Sequence, residues 1–229
     1  MSLTTRNLSH QERGGSFQEA YEGLKKRIEG KGLADGEVRK QLGLLEGLGQ
    51  FELGRFLIEK GGLNGFWTNY IVTYRKGGSL HELESYLLDR APTILATQER
   101  FGIFKREIQK RLREGGAYAS IPCGLMGDLL ELDFIGLSQF TLHGFDLDQE
   151  SLDLAAKRAG ENGLEERCFF FKRDAWALGE GAEFDLMASN GLNFYEADDA
   201  KTVDLYREFY RRLKPGGVLV TSFMTPPSN

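Results

Sequence analysis

The stretch Ala117-Tyr118-Ala119-Ser120-Ile121-Pro122-Cys123-Gly124-Leu125-Met126-Gly127-Asp128 decides the fold. A short apolar run stops at a loop that carries two glycines, and a helix is expected directly after it. Outward from this point the same strand, turn, helix grammar repeats. Strand candidates lie at 117–121, 141–145, 168–171, 185–188 and 218–223. Between them, Asp148 reads as the N-cap of a helix through Leu152, Ala155, Ala156 and Ala159, which Asn162-Gly163 stop. A later helix places Val203, Tyr206, Tyr210 and Leu213 on one face and ends before Pro215. Alternating β and α elements predict a doubly wound, mainly parallel α/β sheet with right-handed crossovers. In such sheets ligands bind outside the carboxyl ends of the strands, where strand order switches.

Upstream of Gly115-Gly116 the pattern changes to helical spacing. Val38, Leu42, Leu45 and Gly49 follow one helical face; Phe101, Phe104, Ile108 and Leu112 follow another, in a segment that starts near Pro92. Helices are expected at 16–29, 35–48, 51–60, 64–75, 80–90 and 92–113, with Gly61-Gly62 and Gly77-Gly78 between them. No strand signal precedes residue 116. The expected organisation is a flexible N-terminus at 1–15, an all-α extension at 16–115 and the α/β domain at 116–229. The extension is expected to cover the carboxyl ends of the strands, because the loops there are short.

The totals set bounds on partners. Of 229 residues, 41% are hydrophobic and 28% charged, and the formal net charge is −5. An acidic balance argues against a general nucleic-acid binder. The run Lys105, Arg106, Lys110, Arg111 and Arg113 is the best basic patch, and a solvated helix face is its simpler reading. Two cysteines, Cys123 and Cys168, make neither a disulfide framework nor a zinc motif, so no metal is expected. No apolar stretch approaches the roughly 20 residues that span a bilayer. The N-terminus lacks the apolar core of a secretory signal, which predicts a cytoplasmic protein.

Chemistry is sought just after each strand. In the first loop, Gly124 lets a ligand approach backbone where a Cβ would collide, although two glycines also suit an ordinary turn. Asp146 follows the second strand, about 22 residues after Gly124, where an acid can accept both hydroxyl protons of a ribose. The alternative is that Asp146 closes the strand while Asp148 caps the helix. Asp174, after the third strand, can accept from an exocyclic amine while Ala175 offers a backbone N–H; a solvated loop aspartate is the other reading. Asn190 follows the fourth strand and can meet the amino-acid end of a ligand. Leu213-Lys214-Pro215-Gly216-Gly217 then ends a helix, turns and starts a strand.

In this order, the glycine loop, the acid, the Asp-Ala pair and the Leu-Lys-Pro-Gly-Gly turn resemble the class I methyltransferase family over residues 116–225. The resemblance implies a Rossmann-like domain with S-adenosylmethionine as cofactor. It places Pro122, Cys123, Gly124 and Gly127 in the cofactor loop, with the methionine part near Cys123, Gly124 and Asn190. The ribose falls at Asp146 and the adenine at Leu147, Asp174 and Ala175. The family loop reads acid-x-Gly-x-Gly-x-Gly; here Ser120 stands for the acid, Pro122 for the first glycine and Met126 for the third. Phe51 to Leu57, Leu63 to Tyr70 and Ala91 to Phe101 resemble the helical extension of bacterial methyltransferases of unassigned substrate.

Methyl transfer from a sulfonium needs mainly in-line placement and exclusion of water, so no catalytic residue is singled out. Trp67, Tyr70, Tyr74, Asn193 and Tyr195 are candidates for the pocket of a small-molecule acceptor, each also readable as packing or surface. Two rivals remain. Pro122-x-Gly124-x-x-Gly127 with Asp146 also suits an NAD(P)-dependent oxidoreductase. The altered loop also suits a non-catalytic binding protein that keeps the fold. The family fold has seven strands in the order 3-2-1-4-5-7-6. The apolar, uncharged run Val218–Phe223 reads as an interior strand, so further C-terminal strands are expected beyond the five; the alternative is that another chain or the N-terminal extension covers this edge.

Overall fold

A computed structural model describes residues 16–181 and 183–223. The expected N-terminal segment 1–15 lies outside the described residues. The described chain divides into two compact units between Thr97 and Gln98.

The first unit is helical: α1 (Phe17–Glu29), α2 (Asp35–Leu48), α3 (Glu52–Lys60), α4 (Gly65–Thr73), α5 (Glu82–Arg90) and the start of α6 (Pro92–Gln109). Local chemistry sets the ends. Ser16 and Glu19 form a reciprocal capping box on α1, Asn64 caps α4 through the Trp67 N–H, and Gly61 ends α3 at φ +71. The unit has its own core of Phe51, Leu53, Ile71 and Leu88, against which Trp67, Tyr70 and Tyr74 pack.

The second unit holds β1 (Gly116–Ser120), α7 (Gly127–Leu130), β2 (Phe140–Asp146), α8 (Gln149–Glu161), β3 (Cys168–Lys172), β4 (Phe184–Ser189), α9 (Asp199–Arg212) and β5 (Leu213–Thr221). Short 3₁₀ turns occupy Glu165–Arg167 and Leu192–Tyr195. The sheet is parallel throughout, in the order β3-β2-β1-β4-β5. Strand order reverses at β1, with β2 on one side and β4 on the other, so the ends of β1 and β4 flank the switch point.

Successive residues of each strand serve opposite faces, and both faces are covered. Tyr118, Leu142, Leu186 and Ala188 pack with Leu152, Ala155 and Ala159 of α8 and with Phe104 and Ile108 of α6. Ala119, Ile121, Phe145, Phe184 and Met187 pack with Leu205 and Phe209 of α9. The second half of α6 therefore belongs to the sheet's core, although its periodicity groups it with the preceding helices. The change of period marks where strands begin, whereas the division of the structure falls inside a helix.

Two boundaries differ from the sequence reading by four residues or more. α6 stops at Gln109 rather than 113, and its last turn tightens as Arg111 N–H donates to the Ile108 carbonyl (2.8 Å). β5 starts at Leu213 rather than 218 and ends at Thr221. Its pairing jumps from Phe184↔Leu213 to Leu186↔Val218, so the Lys-Pro-Gly-Gly segment bulges out of the ladder with Gly216 at φ +79. Among the described residues β5 pairs with β4 alone. No described helix is long and apolar enough to cross a membrane.

Candidate active site

Four loops leave the carboxyl ends of β1 to β4, and backbone bonds tie them together. Ile121 N–H donates to the Ala188 carbonyl (2.9 Å), Cys123 N–H to the Phe145 carbonyl (2.9 Å) and Arg173 N–H to the Asp146 carbonyl (3.0 Å). The loop after β1 lies close against β2, and Gly144 makes that possible: a Cβ there would stand 2.9 Å from Phe170 Cδ1, 3.0 Å from Cys123 Sγ and 3.1 Å from Met126 Sδ. Gly124 takes φ +48, and Met126, where the family has glycine, takes φ +52. Its side chain is fully buried, so packing holds a conformation that costs a non-glycine residue about 1–3 kcal/mol.

Asp146 is buried at the end of β2. One carboxylate oxygen accepts the Gly124 N–H (2.9 Å) and the other accepts the Asp148 N–H (3.0 Å). The acid thus fixes the glycine loop and also closes its own strand. Each oxygen keeps further acceptor capacity, because a carboxylate offers about four lone-pair sites. Asp148 caps α8 through the Glu150 and Ser151 N–H groups, as expected. Leu147, between the two acids, is 60% exposed.

Asp174 is exposed; it accepts the Trp176 N–H (3.0 Å) in a local turn, and Ala175 is buried beside it. Pro122 is exposed, Cys123 and Gly127 are buried, and Asn190 is half-buried directly after β4. Burial pushes the Cys123 thiol well above its ordinary range, assisted by Asp146 and Asp128, which rules out a ready thiolate. α7 is a single turn, so it provides little of the helix N-terminus expected after the loop.

Of the acceptor-pocket candidates, Asn193 is half-buried and Tyr195 60% exposed on the 3₁₀ turn after β4. Trp67, Tyr70 and Tyr74 stand in the helical unit, where Tyr70 donates its hydroxyl to buried Glu84 (3.0 Å). Burial and Glu84 push the Tyr70 hydroxyl up to about 12. In the basic run, Lys105 pairs with Glu131, Lys110 and Arg111 with Glu107, and Arg113 with Asp185.

Sequence reasoning missed two residues. Asp128 sits in α7, and its carboxylate accepts from Ser120 Oγ (2.8 Å), at the position where the family loop has its acid. Burial raises the Asp128 carboxyl to about 6, against the opposing hydrogen bonds of Ser120 and nearby backbone N–H groups. An acid eight positions from an unexpected serine was the available signal. Arg100, on α6, holds its guanidinium 5.2 Å over the Phe194 ring. Nothing in its own neighbourhood of sequence marks it.

A methyltransferase domain family model matches residues 122–217. A possible exported protein from Bordetella parapertussis is 43% identical, with a TM-score of 0.86, over 93% of this chain and 73% of its own. Residues 122–217 thus form a domain of the methyltransferase family, on the parallel sheet described above. A SAM-dependent methyltransferase from Geobacter sulfurreducens, in complex with S-adenosyl-L-homocysteine, is similar at 23% identity and a TM-score of 0.43. This chain spans about half of that protein, 47% of its length. No curated protein matches.

Proposed function

We propose that the protein transfers a methyl group from S-adenosylmethionine to a small-molecule acceptor. The observation that carries this reading is the Asp146 carboxylate, buried, anchored to the glycine loop at Gly124 and still able to accept a ribose diol. Exposed Leu147 offers an apolar face to adenine, with Ala175 and Asp174 following β3. The methionine end then falls between Gly124 and Asn190, across the switch point. There Asp128 takes over the role of the family's acid, a carboxylate brought back to Ser120 from the opposite side of the loop.

The chain's residues bind and orient; the cofactor supplies an activated carbon. Catalysis then rests on holding the acceptor in line and excluding water. A base is needed only if the acceptor must lose a proton. The two cysteines are unpaired, and we assign the protein to a reducing compartment, the cytoplasm.

Calorimetric titration with S-adenosylhomocysteine and with NAD tests the function. Binding of the first and not the second is the expected result. Binding of NAD alone would establish the oxidoreductase reading, and binding of neither the non-catalytic one. Asp146→Ala should weaken S-adenosylhomocysteine at least about tenfold, since each charge-assisted hydrogen bond is worth about 1.5–3 kcal/mol.

A further inference from the structure

The glycine loop is tied from two sides. Asp146, at the end of β2, holds the Gly124 N–H, and Arg158, on α8, donates from Nη1 to the Leu125 carbonyl (3.4 Å). Arg158 Nη2 bonds one carboxylate oxygen of Glu131 (3.0 Å), the residue that ends α7. The second Glu131 oxygen takes Lys105 Nζ (2.8 Å) from α6. A chain of alternating charge thus runs from Lys105 through Glu131 to Arg158 and ends on a loop carbonyl. The three helices it joins share one core, through Phe104 of α6, Leu129 and Leu130 of α7 and Leu152 of α8.

The Lys105, Glu131 and Arg158 side chains are 26%, 24% and 21% exposed. Ion pairs this open contribute little to global stability. Their consequence is local. Met126 follows the anchored carbonyl at φ +52, a conformation that persists in a non-glycine residue only where the surroundings enforce it. Its buried side chain supplies one constraint, and Arg158 supplies another on the peptide that precedes it. A guanidinium suits this task, because its rigid planar fork reaches two acceptors at once, where an ammonium is a point charge on a flexible stem. Glu131 sets the direction of the fork, and without its charge the fork loses that anchor. We propose that Lys105, Glu131 and Arg158 clamp the glycine loop in the shape that the cofactor requires, with Glu131 as the positioning residue between two cations. The ligand half of this inference rests on the proposed function; the loop half does not.

Hydrogen exchange of the ligand-free protein reads the loop directly. In Glu131→Gln, and more so in Arg158→Met, the peptide spanning 121–130 should exchange about three- to tenfold faster, while α9, on the other face of the sheet, keeps the parent rate. Calorimetry with S-adenosylhomocysteine reads the consequence. Affinity should fall about three- to fivefold in Glu131→Gln and about tenfold in Arg158→Met, with part of the loss recovered in Arg158→Lys. S-adenosylhomocysteine carries no net charge at neutral pH, so salt acts on its binding mainly through the clamp. Raising ionic strength from about 0.05 M to about 1 M should weaken binding to the parent and leave Glu131→Gln flat, a response that ion pairs serving stability alone would not give. Unchanged loop exchange in both variants overturns the proposal, whatever the protein binds. Equal acceleration in the loop and in α9 also overturns it, because that is a general loss of stability. So does a parent that binds S-adenosylhomocysteine no more tightly than the two variants. A parent that binds none removes the proposed function, and the exchange result then decides the clamp by itself.

Discussion

The amino and carboxyl edges of the same sheet are built on opposite principles. At the amino edge, polar groups answer one another within the chain. Asp185, at the start of β4, takes the Ala117 N–H and the side chains of Arg113 and Lys214. Glu208 accepts the Leu178 and Gly179 N–H groups, and buried Arg212 pairs with Glu183 and bonds the Glu180 carbonyl. At the carboxyl edge, Arg100 Nε, Asn190 Oδ1, Asn193 Oδ1 and Ser222 Oγ are buried and unanswered. Arg212 Nε is an exception at the amino edge, on a guanidinium whose other two nitrogens are bonded. Buried polar atoms are normally paired, so the orphans of the carboxyl edge stand apart from the answered groups of the amino edge.

The carboxyl edge is itself divided. The loops after β1 and β2 are internally satisfied through Asp146, whereas the loop after β4 is open-handed. Asp146→Ala should damage both stability and binding, because it strands the Gly124 and Asp148 N–H groups along with the ribose acceptor. A loss of about 2–4 kcal/mol in urea unfolding is expected, beside the weakened S-adenosylhomocysteine. Reduced affinity with unchanged stability would mean that the loop holds its shape without Asp146, and the contrast between the two loops would lapse.

Gly144→Val asks whether close packing of the first loop is what satisfies it. The added side chain meets Phe170, Cys123 and Met126 at about 3 Å, and overpacking of this kind costs about 1–3 kcal/mol. A thermal melt lowered by several degrees is expected. An unchanged melt would show that the loop can move away from β2.

Much of the fold was legible in sequence, whereas this contrast was not, and the limits of legibility have a physical cause. Strand alternation, the Asp148 cap and the ordered set from Gly124 to Leu213-Lys214-Pro215-Gly216-Gly217 are local patterns, and local patterns survive in one dimension. The bulge at Lys214 does not, because it depends on Asp185 drawing the lysine across to a neighbouring strand (2.8 Å). Arg100 is ninety positions from Asn190 in the chain, so only the packing of α6 against the sheet brings the two together. Asp128 was visible as a residue but not as a partner of Ser120, because the turn that joins them carries Met126 in a conformation glycine normally takes.

Asp185→Asn probes the satisfied edge. Burial alone would raise the Asp185 carboxyl, but hydrogen bonds from Lys214, the Ala117 N–H and Arg113 outweigh it and hold it at about 2. A carboxyl with a depressed folded value contributes stability that is present above its unfolded value, near 4, and is lost as pH falls toward 2. The variant should be less stable at pH 7 by about 1–2 kcal/mol, a figure reduced for the solvent exposure of Lys214 and Arg113. That deficit should close between pH 4 and pH 2. A deficit that persists at pH 2 would assign the effect to packing and not to charge.

Asp128→Asn should act in the opposite direction and by the smallest amount. The folded carboxyl is raised to about 6 by burial, so the native state holds a proton that the unfolded state has released between about pH 4 and pH 6. Stability of the parent therefore falls as pH rises through that window and is flat above it. Asparagine keeps an oxygen for the Ser120 hydroxyl and carries no charge to desolvate, so the variant should be more stable at pH 7 by on the order of 1 kcal/mol and equal to the parent near pH 4. If Asp128 also answers the cofactor's ammonium, the same variant should bind S-adenosylhomocysteine several-fold more weakly. Opposite signs in stability and affinity are what distinguish a group retained for a ligand from one retained for the fold. A variant that loses stability at pH 7 would instead place Asp128 with Asp185, among the acids that the chain satisfies for itself.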